Sequence, residues 1–219
     1  MTQPTRFATF LKGYGRLTIF MIPIGIALNF VGGQIASLTK LPVYLDSIGT
    51  ILVGALCGSI PGAIVGLISN LINAITIPTL VPYATLSIIF GLLAGQFSRW
   101  GWFRSFWKTV LAAVPLSIVG GWLGALITIW VYGGLGGSGG ADLIVAALAA
   151  TGLSVPVANF IAYVPIDFLD KIVTVIIVYL LLKRLPTRLL TKLPLGSIYL
   201  RTGRRPKRTT ATATETTAP

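Results

Sequence analysis

The chain has 219 residues, 54% of them hydrophobic and only 10% charged, with a mean hydropathy of +0.87. A soluble domain carries about 25% charged residues, so this composition belongs to an integral membrane protein. One cysteine (Cys57) and no histidine exclude a disulfide framework, the usual zinc sites and any histidine-dependent triad.

Six apolar segments occur in chain order, at 17–38, 43–60, 61–79, 82–98, 107–132 and 154–183. They predict an all-α bundle of six membrane-spanning helices. The second and third are short against the roughly 20 residues a span needs. Arg16 and the apolar run behind it also fit a second reading, a cleaved signal sequence with Gln34-Ile35-Ala36 as its processing site. That would leave five spans. Pro61, just after the Gly58-Ser59 turn, suits the first turn of the third helix. The glycine-rich run at 133–140 reads as a loop, and 141–150 as a short helix at the surface.

Charge sets the orientation. Arg6, Lys12 and Arg16 precede the first segment; Arg99, Arg104 and Lys108 fill the loop after the fourth; a dense basic run follows the sixth. With six spans, all of the 17 basic residues except Lys40 and Lys171 fall on one side, opposite Asp46 and Asp142. The positive-inside rule makes that side the cytoplasm, so both termini are expected there, in a multi-pass protein of the plasma membrane. Residues 1–186 then form the membrane domain and 187–219 a basic, largely disordered tail. Within the tail, 185–200 has the leucines of an interfacial piece, 201–208 a basic cluster suited to anionic lipid heads, and 209–219 a Thr/Ala-rich disordered composition. Positive-inside charge accounts for the net +12 without a nucleic-acid partner.

Few motifs carry chemistry. Gly134-x-Gly136-x-x-Gly139 has dinucleotide-fingerprint spacing but follows a membrane segment and has no βαβ unit around it. No Walker-type loop is present, so nucleotide hydrolysis by this chain is not expected, and no cofactor, metal or catalytic residue is assigned. Gly32-x-x-x-Ala36, Gly54-x-x-x-Gly58 and Gly62-x-x-x-Gly66 allow helix backbones to approach closely. They fit either packing within the bundle or a face that docks another membrane subunit.

The last segment holds the most informative residues. An Asp or Lys at bilayer depth costs roughly 2.5–3.5 kcal/mol on insertion scales, yet Asp167, Asp170 and Lys171 all lie there. Asn159, Tyr163 and Asp167 follow at i, i+4 and i+8 on one helical face, with Asp170 and Lys171 near it. Tyr44 and Asp46 in the first outer loop, Asn70 and Asn73 at the end of the third segment, and Tyr83 at the start of the fourth fall at a similar level. Such a set suits a small-ligand pocket. Simpler roles stand beside it: Asp46 as a helix cap, Asn70 and Asn73 as interhelical hydrogen-bond partners, Asp170 with Lys171 as a structural ion pair, Trp130 and Tyr132 as interfacial belt residues.

The run LPVYLDSIGTILVGALCGSIPGAIVGLISNLINAI at 41–75, PIDFLDK at 165–171 and KRLP at 183–186 resemble the substrate-binding S components of energy-coupling factor transporters. The likeness covers about 15–186, and its most specific part is Leu45-Asp46-x-Ile48-Gly49-Thr50. The resemblance implies a six-helix subunit that binds a vitamin or similar nutrient from outside. It also implies a transmembrane coupling subunit and two cytoplasmic ATPases as partners, with toppling of the S component in the bilayer during uptake. By position it points to Tyr44, Asp46, Tyr83, Asn159, Tyr163, Asp167 and Lys171 as ligand contacts. The family's first helix commonly carries Ala-x-x-x-Ala for docking. Here Ala27 is followed by Val31, and Gly25, Ala27, Gly32 and Ala36 are the nearest docking candidates. A ligand-sensing membrane module is the rival reading, although such modules normally continue into a signalling domain and a Thr/Ala-rich segment follows here.

Overall fold

The computed structural model describes residues 15–39, 41, 43–136 and 140–200. Arg6, Lys12, Lys40, the loop tip at 137–139, the basic cluster at 201–208 and the Thr/Ala-rich segment at 209–219 lie outside the described residues.

The regular structure is all helical, with no strand among the described residues. Its helices are α1 (Arg16–Leu38), α2 (Ile48–Cys57), α3 (Ser59–Thr76), α4 (Ala84–Arg99), α5 (Phe106–Tyr132), α6 (Gly140–Ala150), α7 (Val155–Arg184) and the single turn α8 (Thr187–Leu190). Short 3-10 turns precede α4 (Pro78–Tyr83), precede α5 (Trp102–Arg104) and follow α8 (Gly196–Tyr199). Among the described residues four stretches are long and apolar enough to cross a membrane: Arg16–Leu38, Ser59–Thr76, Pro78–Arg99 and Phe106–Tyr132. The six-segment expectation differs at the other two. Helix α7 has the length, at 30 residues, but carries Asp167, Asp170 and Lys171 at its centre. Helix α2 has only 10 residues, about 15 Å of rise, half a hydrocarbon core.

The reason α2 is short lies just before it. Residues 43–47 are non-helical and dip beside the middle of α1, where a Cβ at Gly32 would sit 2.1 Å from the Leu45 carbonyl oxygen. Leu45 takes a left-handed φ of 52°, a conformation that costs a branched side chain roughly 1–3 kcal/mol. Irregular backbone at such depth survives only where its polar groups are satisfied by protein. Asn29, fully buried in α1, does part of this: its Oδ1 accepts from the backbone N–H of Gly49 (2.6 Å) and Thr50 (3.2 Å). Its Nδ2 donates to Thr50 Oγ1 (2.7 Å) and Ser69 Oγ (3.0 Å), tying α1, α2 and α3 together. Asn29 thus caps α2, and Asp46 does not; the N-cap residue, Ser47, makes no side-chain cap bond.

Glycines set the spacing of α1–α4. A Cβ at Gly49 would lie 1.9 Å from the Gly25 carbonyl oxygen, and one at Gly62 would lie 2.7 Å from the Gly54 Cα. Gly25 and Gly32 therefore face inward, and Ala36 is buried. Of the four docking candidates only Ala27 lies on the outer face of α1. Gly58, with φ +102°, reverses the chain between α2 and α3, and Pro61 falls in the first turn of α3.

Ile51, Val53, Leu56, Phe103, Leu116, Val175 and Val178 form the centre of the core toward the end where α2 stops and α5 starts. Residues 187–200 fold onto that end. Leu190 and Leu193 are buried, the Leu195 N–H donates to the Leu56 carbonyl (3.0 Å), and the Tyr199 hydroxyl meets Ser98 Oγ (2.5 Å) and donates to the Ala55 carbonyl (3.3 Å). These contacts satisfy carbonyls that the end of α2 leaves open. Arg104 and Lys183 line a recess at the same end.

Candidate functional site

At the opposite end the bundle opens around a cavity of about 550 Å³, within the range of small-molecule sites. The loop at 43–46 and the second half of α1 form one wall, the end of α3 and the first half of α4 another, and α5 with α7 the third. Tyr44, Asp46, Asn70, Asn73, Tyr83, Tyr163, Asp167 and Lys171 all line it, so four elements far apart in sequence are brought together. Its surface is otherwise largely apolar, with Leu80, Leu86, Phe90 and Ile166.

The floor is a buried charge cluster. Lys171 is 1% exposed and Asp170 fully buried. The Lys171 ammonium donates to Asp170 Oδ2 at 2.6 Å and to Asp167 Oδ1 at 3.2 Å, and stands 4.4 Å from the centre of the Phe90 ring. Asp170 turns its other oxygen away from the cavity: Oδ1 accepts from the backbone N–H of Tyr44 (2.9 Å) and Leu45 (2.8 Å). It is the group that satisfies the irregular segment before α2. Asp170 therefore stands outside the cavity lining and holds the loop that carries Tyr44 and Asp46.

Asp167 lies against α5 at a position only glycine allows. A Cβ at Gly120 would fall 2.3 Å from Asp167 Oδ2, so the missing side chain is the space the carboxylate fills. Asp167 is 6% exposed, and its Oδ2 has no hydrogen-bond partner. The carbonyl oxygens of Asn70 and Asn73 are likewise buried and unpartnered, while Asn70 Nδ2 donates to Ser87 Oγ (3.1 Å). Asp46 is half-buried in the lining and makes no ion pair within 4.0 Å among the described residues.

The rim is aromatic. Tyr83 and Tyr132 stack with ring centres 6.4 Å apart; Tyr83 shares a 2.5 Å hydrogen bond with Thr128, and Tyr132 donates to the Thr79 carbonyl (2.7 Å). Tyr163 donates to Asp142 Oδ1 at 3.0 Å, which joins α7 to α6. Trp130 is 85% exposed and faces outward, as a belt residue does.

Asn159 is not in the cavity. It is fully buried, and its Nδ2 donates to the Gly134 carbonyl (2.7 Å) and the Val155 carbonyl (3.2 Å), anchoring the glycine loop to the start of α7. The sequence reading did not single out Asn29, Ser87, Phe90 or Gly120. Asn29 had a signal, as a carboxamide inside an otherwise apolar segment; Gly120 had none apart from the Gly120-Gly121 pair. Among the described residues no group of three His, Cys, Asp or Glu side chains is arranged to hold a metal ion. Comparison with protein-family models, curated proteins and solved structures finds no match to this chain.

Proposed function

We propose that this chain is the substrate-binding membrane subunit, the S component, of an energy-coupling factor importer for a vitamin or similar small nutrient. In this reading it sits in the plasma membrane, crosses it six times and keeps both termini in the cytoplasm. The extended segment at 41–47 and α2 together make the second crossing, and α7 makes the sixth. The cavity then opens outward, while Arg16, Arg99, Arg104, Lys183 and Arg184 lie at the cytoplasmic end, as the positive-inside rule requires.

The observation that carries the reading is the cavity itself: about 550 Å³, walled largely by apolar side chains and floored by ionisable groups from α7. Ionisable residues within a membrane domain mark ligand or ion sites by default. A subunit that hands its ligand to a separate ATP-driven module needs a deep, selective pocket and no nucleotide site of its own. Coupling would then fall to a second membrane protein and two ATPases.

The test is purification of the full chain from its native membrane in mild detergent, followed by mass spectrometry of retained small molecules and co-purifying proteins. A membrane subunit with an ATPase pair, and a small molecule lost on Asp167→Asn, is the expected outcome. Co-purification with a kinase or cyclase instead would replace the transporter with a ligand sensor. A chain that retains nothing and pairs with nothing would overturn both.

A further inference from the structure

The end of the bundle away from the cavity carries a charge that nothing beside it balances. Every described lysine and arginine except Lys171 lies there, whereas Asp46, Asp142, Asp167 and Asp170, all the described acids, lie at the cavity end. The fifth acid of the chain, Glu215, falls outside the described residues. The recess at the basic end, about 330 Å³, gathers two of the cations. Arg104 comes from the turn before α5 and Lys183 from the last turn of α7, and Ile198, Tyr199 and Leu200 close the third side. Its apolar base is Phe103 and Leu182, 1% and 3% exposed, while both cations are exposed. Among the described residues neither Arg104 nor Lys183 makes an ion pair; the Lys183 ammonium stands over the Tyr179 ring, 5.2 Å from its centre. Two like charges gathered without an acid repel, and an anion between them turns that repulsion into attraction.

Positive-inside charge accounts for basic residues at this end, but not for a recess that brings two of them together. The level of the recess points to the source of the anion. Trp100 and Trp107, 57% and 78% exposed, flank Arg104 in the chain, and exposed tryptophans of a membrane protein mark the boundary between bilayer and water. The mouth of the recess therefore lies at the level of lipid headgroups. We infer that the recess is a binding site for the headgroup of an anionic phospholipid, with its phosphate between Arg104 and Lys183. The guanidinium fork donates to two phosphate oxygens, the ammonium supplies a point charge, and the acyl chains stay in the bilayer. A free phosphate offers the same chemistry but not the same occupancy: exposed cations hold a dissolved ion weakly, whereas a bilayer presents its lipid at high local concentration. The bound lipid joins the turn before α5, the end of α7 and the segment 198–200, and so stabilises the fold at this end. The inference rests on the bundle lying in a membrane and is independent of what the cavity binds.

The test uses the full chain, stripped of lipid in mild detergent, and three probes: dioleoyl phosphatidylglycerol, dioleoyl phosphatidylcholine and inorganic phosphate. Native mass spectrometry counts the lipid retained, and the shift in unfolding temperature reads all three. Phosphatidylglycerol should bind roughly tenfold more tightly than phosphatidylcholine, and millimolar phosphate should leave the unfolding temperature unchanged. Arg104→Gln with Lys183→Gln should remove most of that preference. Arg188→Gln with Lys192→Gln, an equal loss of charge at the same end but outside the recess lining, should keep it. Arg104→Lys, which retains the charge without the fork, should also lower the preference, and it serves where the double variant does not fold. The basic run at 201–208 is present in every form, so its attraction is common to all. Equal binding of the two lipids overturns the site. So does an equal loss in the recess pair and the control pair, which would leave only diffuse surface charge. Protection by inorganic phosphate as strong as that by phosphatidylglycerol overturns the lipid as its occupant. A preference untouched in both the recess pair and Arg104→Lys overturns the assignment to this recess.

Discussion

Asp170 offers the sharpest separation of fold from function. Its Oδ1 is the acceptor for two backbone N–H groups of the irregular segment, at 2.9 and 2.8 Å, and its Oδ2 is the closer counter-ion of Lys171, at 2.6 Å. Truncation to alanine orphans both N–H groups, at about 1–3 kcal/mol each where water cannot reach them. It also breaks a buried ion pair, which typically costs about 3–5 kcal/mol. The two terms describe one deletion and are not additive, so Asp170→Ala should destabilise by about 4 kcal/mol. Asp170→Asn keeps an oxygen for the two N–H groups and loses only the charge, so about 2 kcal/mol is expected. The assay is reversible unfolding in mixed micelles of rising SDS fraction, followed by tryptophan fluorescence, with hydrogen exchange at residues 43–47 as the local readout. An alanine variant within about 1 kcal/mol of the parent, or an asparagine variant as unstable as the alanine one, would refute the claim that Asp170 holds the loop.

Asn29→Ala removes four bonds from a fully buried position and should cost about 2–4 kcal/mol in the same assay; a cost below about 1 kcal/mol would mean α2 is held by packing alone. Gly49→Ala forces a Cβ against the Gly25 backbone, whereas Gly58→Ala has open space and only a left-handed φ to bear. The first should therefore be the more damaging, at about 3 kcal/mol against about 2, and the reverse order would discredit the α1–α2 contact. Burial pushes the Tyr199 hydroxyl well above its ordinary value of 10.0, against a smaller opposing pull from the Ser98 hydrogen bond. The folded state thus favours the protonated phenol: its stabilising share is complete below pH 10.0 and is lost as pH rises toward the folded-state value. The hydrogen-exchange protection factor over residues 187–200, taken against the intrinsic rate at each pH, should fall above pH 10.0 in the parent, and Tyr199→Phe should remove that fall while costing about 1 kcal/mol at neutral pH.

Helix placement was legible because the runs at 17–38, 107–132 and 154–183 are long and predominantly apolar, and the helices begin and end within a few residues of them. The second segment misled for a physical reason. Val43 and Leu45 are as apolar as the helix they precede, so hydropathy cannot tell an extended segment from a helical one. What makes 43–47 irregular is supplied from elsewhere: a notch at Gly32 and the Asp170 carboxylate. The ladder on α7 misled in another way. Residues eight apart on a helix share a face but stand about 12 Å apart, so Asp167 reaches the cavity while Asn159 serves a loop. The order in 187–200 depends on Leu190, Leu193 and Tyr199 meeting the open end of α2, a surface that exists only once the bundle is formed.

The charged cluster on α7 divides its labour by geometry. Lys171 is held more closely by Asp170, at 2.6 Å, than by Asp167, at 3.2 Å. Loss of the longer contact to Asp167 therefore leaves Lys171 paired with Asp170, and the loop anchor at Tyr44 and Leu45 stays intact. Neutralising Asp167 should then weaken ligand binding with a modest effect on unfolding, whereas neutralising Asp170 should do the reverse. Both carboxylates lie within one turn of the same helix and share one ammonium, so a cluster acting as a single electrostatic unit would give two variants with matching losses. Opposite losses require the division seen here, in which one aspartate faces the protein and the other faces the cavity.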